Sequence, residues 1–152
     1  MDLTALKIAL VKHCEHYIDD RLTGIQKAMS EAQAAANKET KSSAGDKHET
    51  GRAMAQLETE KQSKQLSEVH KLKQAFLQIK TQPISTKIAT GAVVQTNKAV
   101  FYLSIGIGRV QLGDYLVFVI SPTAPIAKSL MGLEVGDQFQ FNGTAQTVIA
   151  LT

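Results

Sequence analysis

The sequence predicts an α+β chain: an N-terminal antiparallel coiled-coil hairpin over residues 1–80, then a small antiparallel sheet domain with one short helix over residues 84–152. Three observations predict it. Residues 1–80 hold only Gly24, Gly45 and Gly51 as glycines, and the first proline is Pro83, so little interrupts a helix there. Apolar residues in that stretch recur at steps of three and four. From Ile84 onward lysine and glutamate become scarce, and β-branched and aromatic residues alternate with turn signals.

The first helix carries its apolar stripe on Leu3, Leu6, Leu10, Cys14, Tyr17/Ile18, Leu22, Ile25 and Met29, thinning to Ala32 and Ala36. The return stripe is Met54, Leu57, Leu66, Val69, Leu72, Phe76 and Ile79. Neither stripe has another partner nearby in sequence, so an antiparallel hairpin is the simplest way to bury both. Its tip falls at about residues 42–51, around Gly45-Asp46. A helix of ~33 residues is about 50 Å long, which puts the tip far from the base. Thr81-Gln82-Pro83 ends the second helix.

Strands are expected at Ala92–Gln95, Ala99–Ile105, Tyr115–Ile120, Gln138–Phe141 and Ala145–Leu151. Thr96-Asn97-Lys98, Gly106–Gly108, Leu112-Gly113-Asp114 and Asn142-Gly143 read as turns, the last being the strongest hairpin signal. Pro125 suits the first position of a short helix over Ile126–Met131, with Gly132 as its stop.

A chain of 152 residues with 43% hydrophobic content supports one compact domain, or a small domain with an appendage. A formal net charge of +3, with the signs intermixed, argues against a protein that neutralises many phosphates by itself. Cys14 is the only cysteine; it excludes an intramolecular disulfide and suits a reducing compartment. The opening residues carry Asp2 and Lys7 rather than a basic run and an apolar core, which argues against a signal peptide. No stretch approaches the ~18 apolar residues of a membrane span. A cytoplasmic protein with no membrane partner is expected.

Two carboxylates three residues apart, Asp46 and Glu49, sit at the tip with Lys41, Lys47, His48 and Arg52 around them. Their spacing also matches an N-terminal capping box for the second helix. His13-Cys14-Glu15-His16 offers too few ligands for a zinc site. Gly106-Ile107-Gly108-Arg109 lacks the third glycine and the βαβ setting of a nucleotide loop.

The run Ile120-Ser121-Pro122-Thr123-Ala124-Pro125-Ile126-Ala127-Lys128-Ser129-Leu130-Met131-Gly132, continuing to Val135-Gly136-Asp137, resembles a conserved segment of the Gre family of bacterial transcript-cleavage factors. At the tip, Gly45-Asp46-x-x-Glu49 is similar to that family's GD-x-x-EN motif, with Lys47-His48 where the family usually has Leu-Ser and Thr50 in place of its Asn. The resemblance implies an FKBP-like second domain that docks on bacterial RNA polymerase at its secondary channel. Ser121, Pro122, Pro125, Ile126, Lys128, Leu130 and Met131 would form the docking loop. It implies that Asp46 and Glu49 reach the polymerase active site and help hold a second Mg²⁺, present only in that complex. The polymerase then cleaves the 3′ end of backtracked nascent RNA. On this view the chain is not itself an enzyme and has no small-molecule substrate. Lys41, Lys47, His48 and Arg52 would contact RNA or polymerase. An alternative is a secondary-channel regulator that modulates or inhibits transcription without stimulating cleavage. A third is a coiled-coil interaction protein with no polymerase role. Prolyl isomerase activity is disfavoured, since the chain has no Trp and a fold does not itself carry an activity.

Overall fold

The computed structural model describes residues 2–42 and 46–152, and side chains outside residues 39–49. Two long helices, α1 (Leu3–Ser42) and α2 (Asp46–Lys80), precede a six-stranded sheet and one short helix. The expected tip at about residues 42–51 overlaps both helices: α1 runs through Ser42 and α2 begins at Asp46, with Gly51 tolerated inside α2 as a single internal glycine; residues 43–45 lie outside the described residues.

Asp2 starts α1: its Oδ1 accepts the backbone N–H groups of Thr4 (3.0 Å) and Ala5 (3.2 Å), satisfying two of the donors a helix start leaves free. Lys80 Nζ reaches Glu15 Oε1 at 2.8 Å. Since residues 43–45 alone join the helices, this pair requires α2 to run back along α1. The chain divides into two compact units, one of residues 1–15 and 74–152, the other of residues 16–73.

Among the described residues of the second unit the buried positions are Ile18 and Leu22 on α1, and Gln62 and Val69 on α2. This corrects the expected return stripe. Met54 and Leu57 are 67% and 65% exposed, whereas Gln62 is 5% exposed. The buried row of α2 is a heptad series through Gln62, Val69 and Phe76, and Met54 and Leu57 fall off that register. On α1 the buried row Leu6, Leu10, Cys14, Ile18, Leu22 advances by four. It therefore winds around the helix by about 40° per step.

In the first unit the strands are β1 (Val93–Thr96), β2 (Val100–Leu103), β3 (Gly108–Leu112), β4 (Tyr115–Ile120), β5 (Gln138–Phe141) and β6 (Thr144–Leu151). The short helix α3 spans Pro125–Leu130, between β4 and β5. Their order across the sheet is β3-β4-β2-β1-β6-β5. The sheet is mixed rather than antiparallel, because β2 and β4 pair in parallel, Phe101 opposite Phe118 and Leu103 opposite Ile120. The cause is β3, absent from the expected strands. It forms the hairpin with β4, Leu112 opposite Tyr115, so β4 returns in the direction of β2.

Register fixes two faces. Val94, Phe101 and Leu103 share one with Val148 and pack with Ala127 and Leu130 of α3; the Phe101 and Phe118 rings lie 5.8 Å apart. On the other face Val93, Tyr102, Val117 and Val119 are also buried, with Tyr102 close to Cys14 of α1. A sheet covered on both sides accepts runs of apolar residues without alternation, which is the pattern of β2, buried at all four positions.

The predicted turns hold where their residues carry the geometry. Asn142 (φ 52°) and Gly143 (φ 76°) connect β5 to β6, the two positive φ values that a tight hairpin needs. Thr96 Oγ1 accepts the N–H groups of Lys98 and Ala99, both at 3.1 Å, and donates to Gln146 Oε1 at 2.8 Å. Gly91 (φ 94°) lets the chain leave α2 tightly, since a Cβ there would sit 2.9 Å from the Ile79 carbonyl oxygen.

Candidate functional site: the hairpin tip and the Ser121–Asp137 segment

Positions 46 and 49 lie in the first turn of α2, one helical turn apart, and position 41 lies in the last turn of α1. A helix N-terminus favours carboxylates, because its unpaired N–H groups and aligned peptide dipoles give it positive potential. The side chains of Lys41, Asp46, Lys47, His48 and Glu49 lie outside the described residues. Arg52 is described and exposed. Toward the tip the described surface of α2 exposes Met54 and Leu57 as its large apolar residues, and Gln56 and Gln62 pair with Glu60 and Glu58 along the helix.

The second candidate region is built on α3. After β4, Ser121 Oγ accepts the Thr123 N–H at 3.3 Å, and the two hydroxyls lie 2.9 Å apart. The Ser121 carbonyl accepts the Ala124 N–H at 3.0 Å. This turn delivers Pro125 to the first turn of α3, where its fixed φ suits the helix and its missing N–H costs nothing. Gly132 (φ 82°) follows α3; its N–H binds the Ile88 carbonyl at 2.8 Å. Asp137 Oδ2 then accepts the Glu134 N–H at 2.8 Å, closing the turn before β5.

Of the residues expected to dock, Pro125, Lys128 and Met131 are exposed, and Ser121, Pro122 and Ile126 are half-buried. Leu130 is 0% exposed and belongs to the core with Ala127. The segment thus divides by helical period: Ala127 and Leu130 anchor it, while Lys128 and Met131 face outward. Val135, 57% exposed, extends the outward apolar surface.

Two arrangements escaped the sequence reading. Cys14, Tyr102 and Ser104 meet in the interior. Burial pushes the Cys14 thiol and the Tyr102 hydroxyl up to about 12 each, against a smaller opposing influence of Ser104. Neither Tyr102 Oη nor Ser104 Oγ completes a hydrogen bond of regular geometry among the described residues. A thiol so held is protonated and poorly nucleophilic. Among the described residues no group of His, Cys, Asp and Glu is placed to hold a metal ion. The other arrangement is a shallow cleft, open to solvent, beside Lys7 and Lys87. Its one signal in the sequence is Lys7, the charge that interrupts the apolar start of α1.

Compared with models of known protein families and with curated proteins, the sequence matches none. No helix among the described residues is long and apolar enough to cross a membrane.

Proposed function

We propose that the chain is a Gre-like transcription elongation factor. It binds bacterial RNA polymerase at the secondary channel and stimulates the polymerase's intrinsic cleavage of backtracked RNA. The hairpin serves as a coiled-coil arm and the sheet unit as an FKBP-like docking domain. The observation that carries the reading is the pair of long helices, of 40 and 35 residues, with the acid pair at positions 46 and 49 in the first turn of the second.

The chemistry suits the residues. Mg²⁺ takes oxygen ligands and is often held by one or two carboxylates with phosphate oxygens and water. In two-metal phosphoryl chemistry the ions lie ~3.5–4 Å apart and activate the attacking oxygen. Asp46 and Glu49 would complete the site of a loosely held second ion, and Lys41, Lys47, His48 and Arg52 would meet RNA phosphate or polymerase acids. Catalysis stays with the polymerase. On the sheet unit, Lys128, Met131 and Val135 present a charge beside apolar surface, a composition suited to a protein partner.

Lys47 and His48, positioned between the acids, favour keeping a second reading in view: a channel-occupying regulator that does not stimulate cleavage. One experiment separates the two. Backtracked elongation complexes of the cognate polymerase are incubated with wild-type protein or the Asp46→Asn/Glu49→Gln variant across a Mg²⁺ titration, and binding is measured in parallel. Release of short 3′ fragments by the wild type alone, at equal binding, supports cleavage. Binding without added cleavage supports the regulator, and absence of binding refutes both.

A further inference from the structure

The sequence holds three asparagines, Asn37, Asn97 and Asn142, and their surroundings differ in the way that decides amide chemistry. Asn37 and Asn97 are each followed by lysine, Asn142 by Gly143. Asn37 Oδ1 accepts a bond from Gln33 Nε2 at 3.2 Å, one turn back on α1. Asn97 Oδ1 accepts the Thr147 N–H at 2.9 Å. The Asn142 side chain is exposed and makes no hydrogen bond among the described residues.

Gly143 is exposed as well, and a Cβ built on it would meet nothing within 4 Å. The backbone nitrogen that follows Asn142 is therefore open to its neighbour's side chain, with no β-carbon in the way. At an Asn-Lys bond the lysine side chain crowds the same nitrogen. The turn itself is held by a short edge. Strand β5 has four residues, lies at the end of the sheet order and pairs with β6 alone. Elements with few contacts open locally at well below the global unfolding free energy. Opening releases Asn142 from the positive φ of the closed turn, 52°, and lets its side chain swing onto the Gly143 nitrogen.

We infer that Asn142 is a self-modifying site, deamidated by the Gly143 nitrogen and water. The nitrogen attacks Asn142 Cγ, and the new bond closes a succinimide ring as the Cγ–Nδ2 bond breaks. The proton of the Gly143 N–H leaves with the side-chain nitrogen as ammonia. Water then adds to one of the two ring carbonyls, its proton returning to the ring nitrogen. Opening at one carbonyl gives an aspartyl side chain on the ordinary backbone. Opening at the other routes the backbone through the side chain, an isoaspartyl linkage. Either product carries one more negative charge and so lowers the formal net charge from +3.

The two products differ in what they do to the fold. An Asp-Gly pair suits the same tight turn, so the aspartyl form keeps the β5–β6 register. The isoaspartyl form lengthens the main chain of a two-residue turn, which then cannot hold Phe141 opposite Thr144. Phe139 of β5 packs against the cluster that contains Ala127 and Leu130 of α3. A slipped β5 therefore loosens the seat of α3. The inference stands apart from the polymerase reading.

For the test, the full chain is incubated at neutral and mildly alkaline pH and digested. Its peptides are then resolved by mass spectrometry, with aspartyl and isoaspartyl forms separated by chromatography. Loss of the amide at position 142 is expected, with both products present and with Asn37 and Asn97 intact. Asn142→Gly leaves a Gly-Gly turn, which accepts positive φ at both positions, and should abolish the acidic shift seen in isoelectric focusing. The isoaspartyl protein should exchange amide hydrogens faster over α3 and β5 than the aspartyl protein does. Retention of the Asn142 amide would overturn the inference, as would equal loss at all three asparagines. An acidic shift that persists in Asn142→Gly would overturn it too, and equal exchange in the two products would overturn the link to α3.

Discussion

Gly91 and Gly136 allow one steric contact to be weighed by itself. Both have φ of +94°, but a Cβ at Gly91 would meet the Ile79 carbonyl oxygen at 2.9 Å and Gln82 Cβ at 3.3 Å, while one at Gly136 would meet nothing within 4 Å. Replacing either with alanine imposes the backbone cost of a left-handed L-residue, ~1–2 kcal/mol. Only Gly91→Ala adds overpacking, a further ~1–3 kcal/mol, because a backbone carbonyl cannot swing aside as a side-chain end can. Gly136→Ala is therefore expected to lose ~1–2 kcal/mol and Gly91→Ala ~2–5 kcal/mol. Urea unfolding measures both, with amide exchange at Leu103 reporting on the sheet unit directly. Equal losses in the two variants would refute the reasoning, since the shared φ would then explain everything and the close approach of the α2 end nothing.

Three further outcomes follow from buried polar groups. Among the described residues Gln62 Oε1 is buried without a partner, so Gln62→Leu should raise stability by ~1–2 kcal/mol in thermal or urea unfolding; a loss would mean that the amide holds the helix register. Tyr102→Phe removes a buried hydroxyl that, among the described residues, meets Ser104 without a hydrogen bond of regular geometry; it should be neutral or stabilising by up to ~1 kcal/mol, whereas a larger loss would reveal a hydrogen bond to Ser104 or through ordered water. Cys14 and Tyr102 both have raised folded pKa values, about 12 against 9.0 and 10.0. Their stabilising contribution is complete below the unfolded values and is lost as pH rises through the folded ones. Stability should fall by ~1.4 kcal/mol per pH unit for each group as pH rises above its unfolded value. Lys7, whose pKa is lowered, works in the opposite sense. Cys14→Ala should remove one group's share of the decline, as seen by unfolding at stepped alkaline pH, and an unchanged slope would exclude the thiol as its source.

Much of the architecture was legible because it is written in local chemistry. The long helices follow from the scarcity of glycine and proline, the β5–β6 hairpin from Asn142-Gly143, and α3 from Pro125 and Gly132. What was not legible depended on pairing. Strand β3 is Gly-Arg-Val-Gln-Leu, with only Val110 buried, so its one inward residue gave no alternation to read. Without it β4 looked like the antiparallel neighbour of β2. Hydropathy likewise selected Met54 and Leu57 for the seam, when helical register buries Gln62. At the candidate site, positions 46 and 49 were legible as a motif on a turn. The Lys7–Lys87 cleft was not, because α1 and the linker meet there only through tertiary folding.

The division of the chain also bears on how it folds. One unit is discontinuous, since residues 1–15 must join residues 74–152. Its completion requires the two ends of a long intervening segment to meet, and for a flexible chain that closure is entropically costly. The intervening segment is instead a helical hairpin, whose contacts begin between near neighbours in sequence and form quickly. A hairpin that forms early would act as a splint, delivering residue 15 to residue 74. Replacing residues 16–73 with a flexible linker of equal length should therefore slow refolding of the sheet unit more than it weakens the folded state. The hairpin would then be a folding device for its own chain.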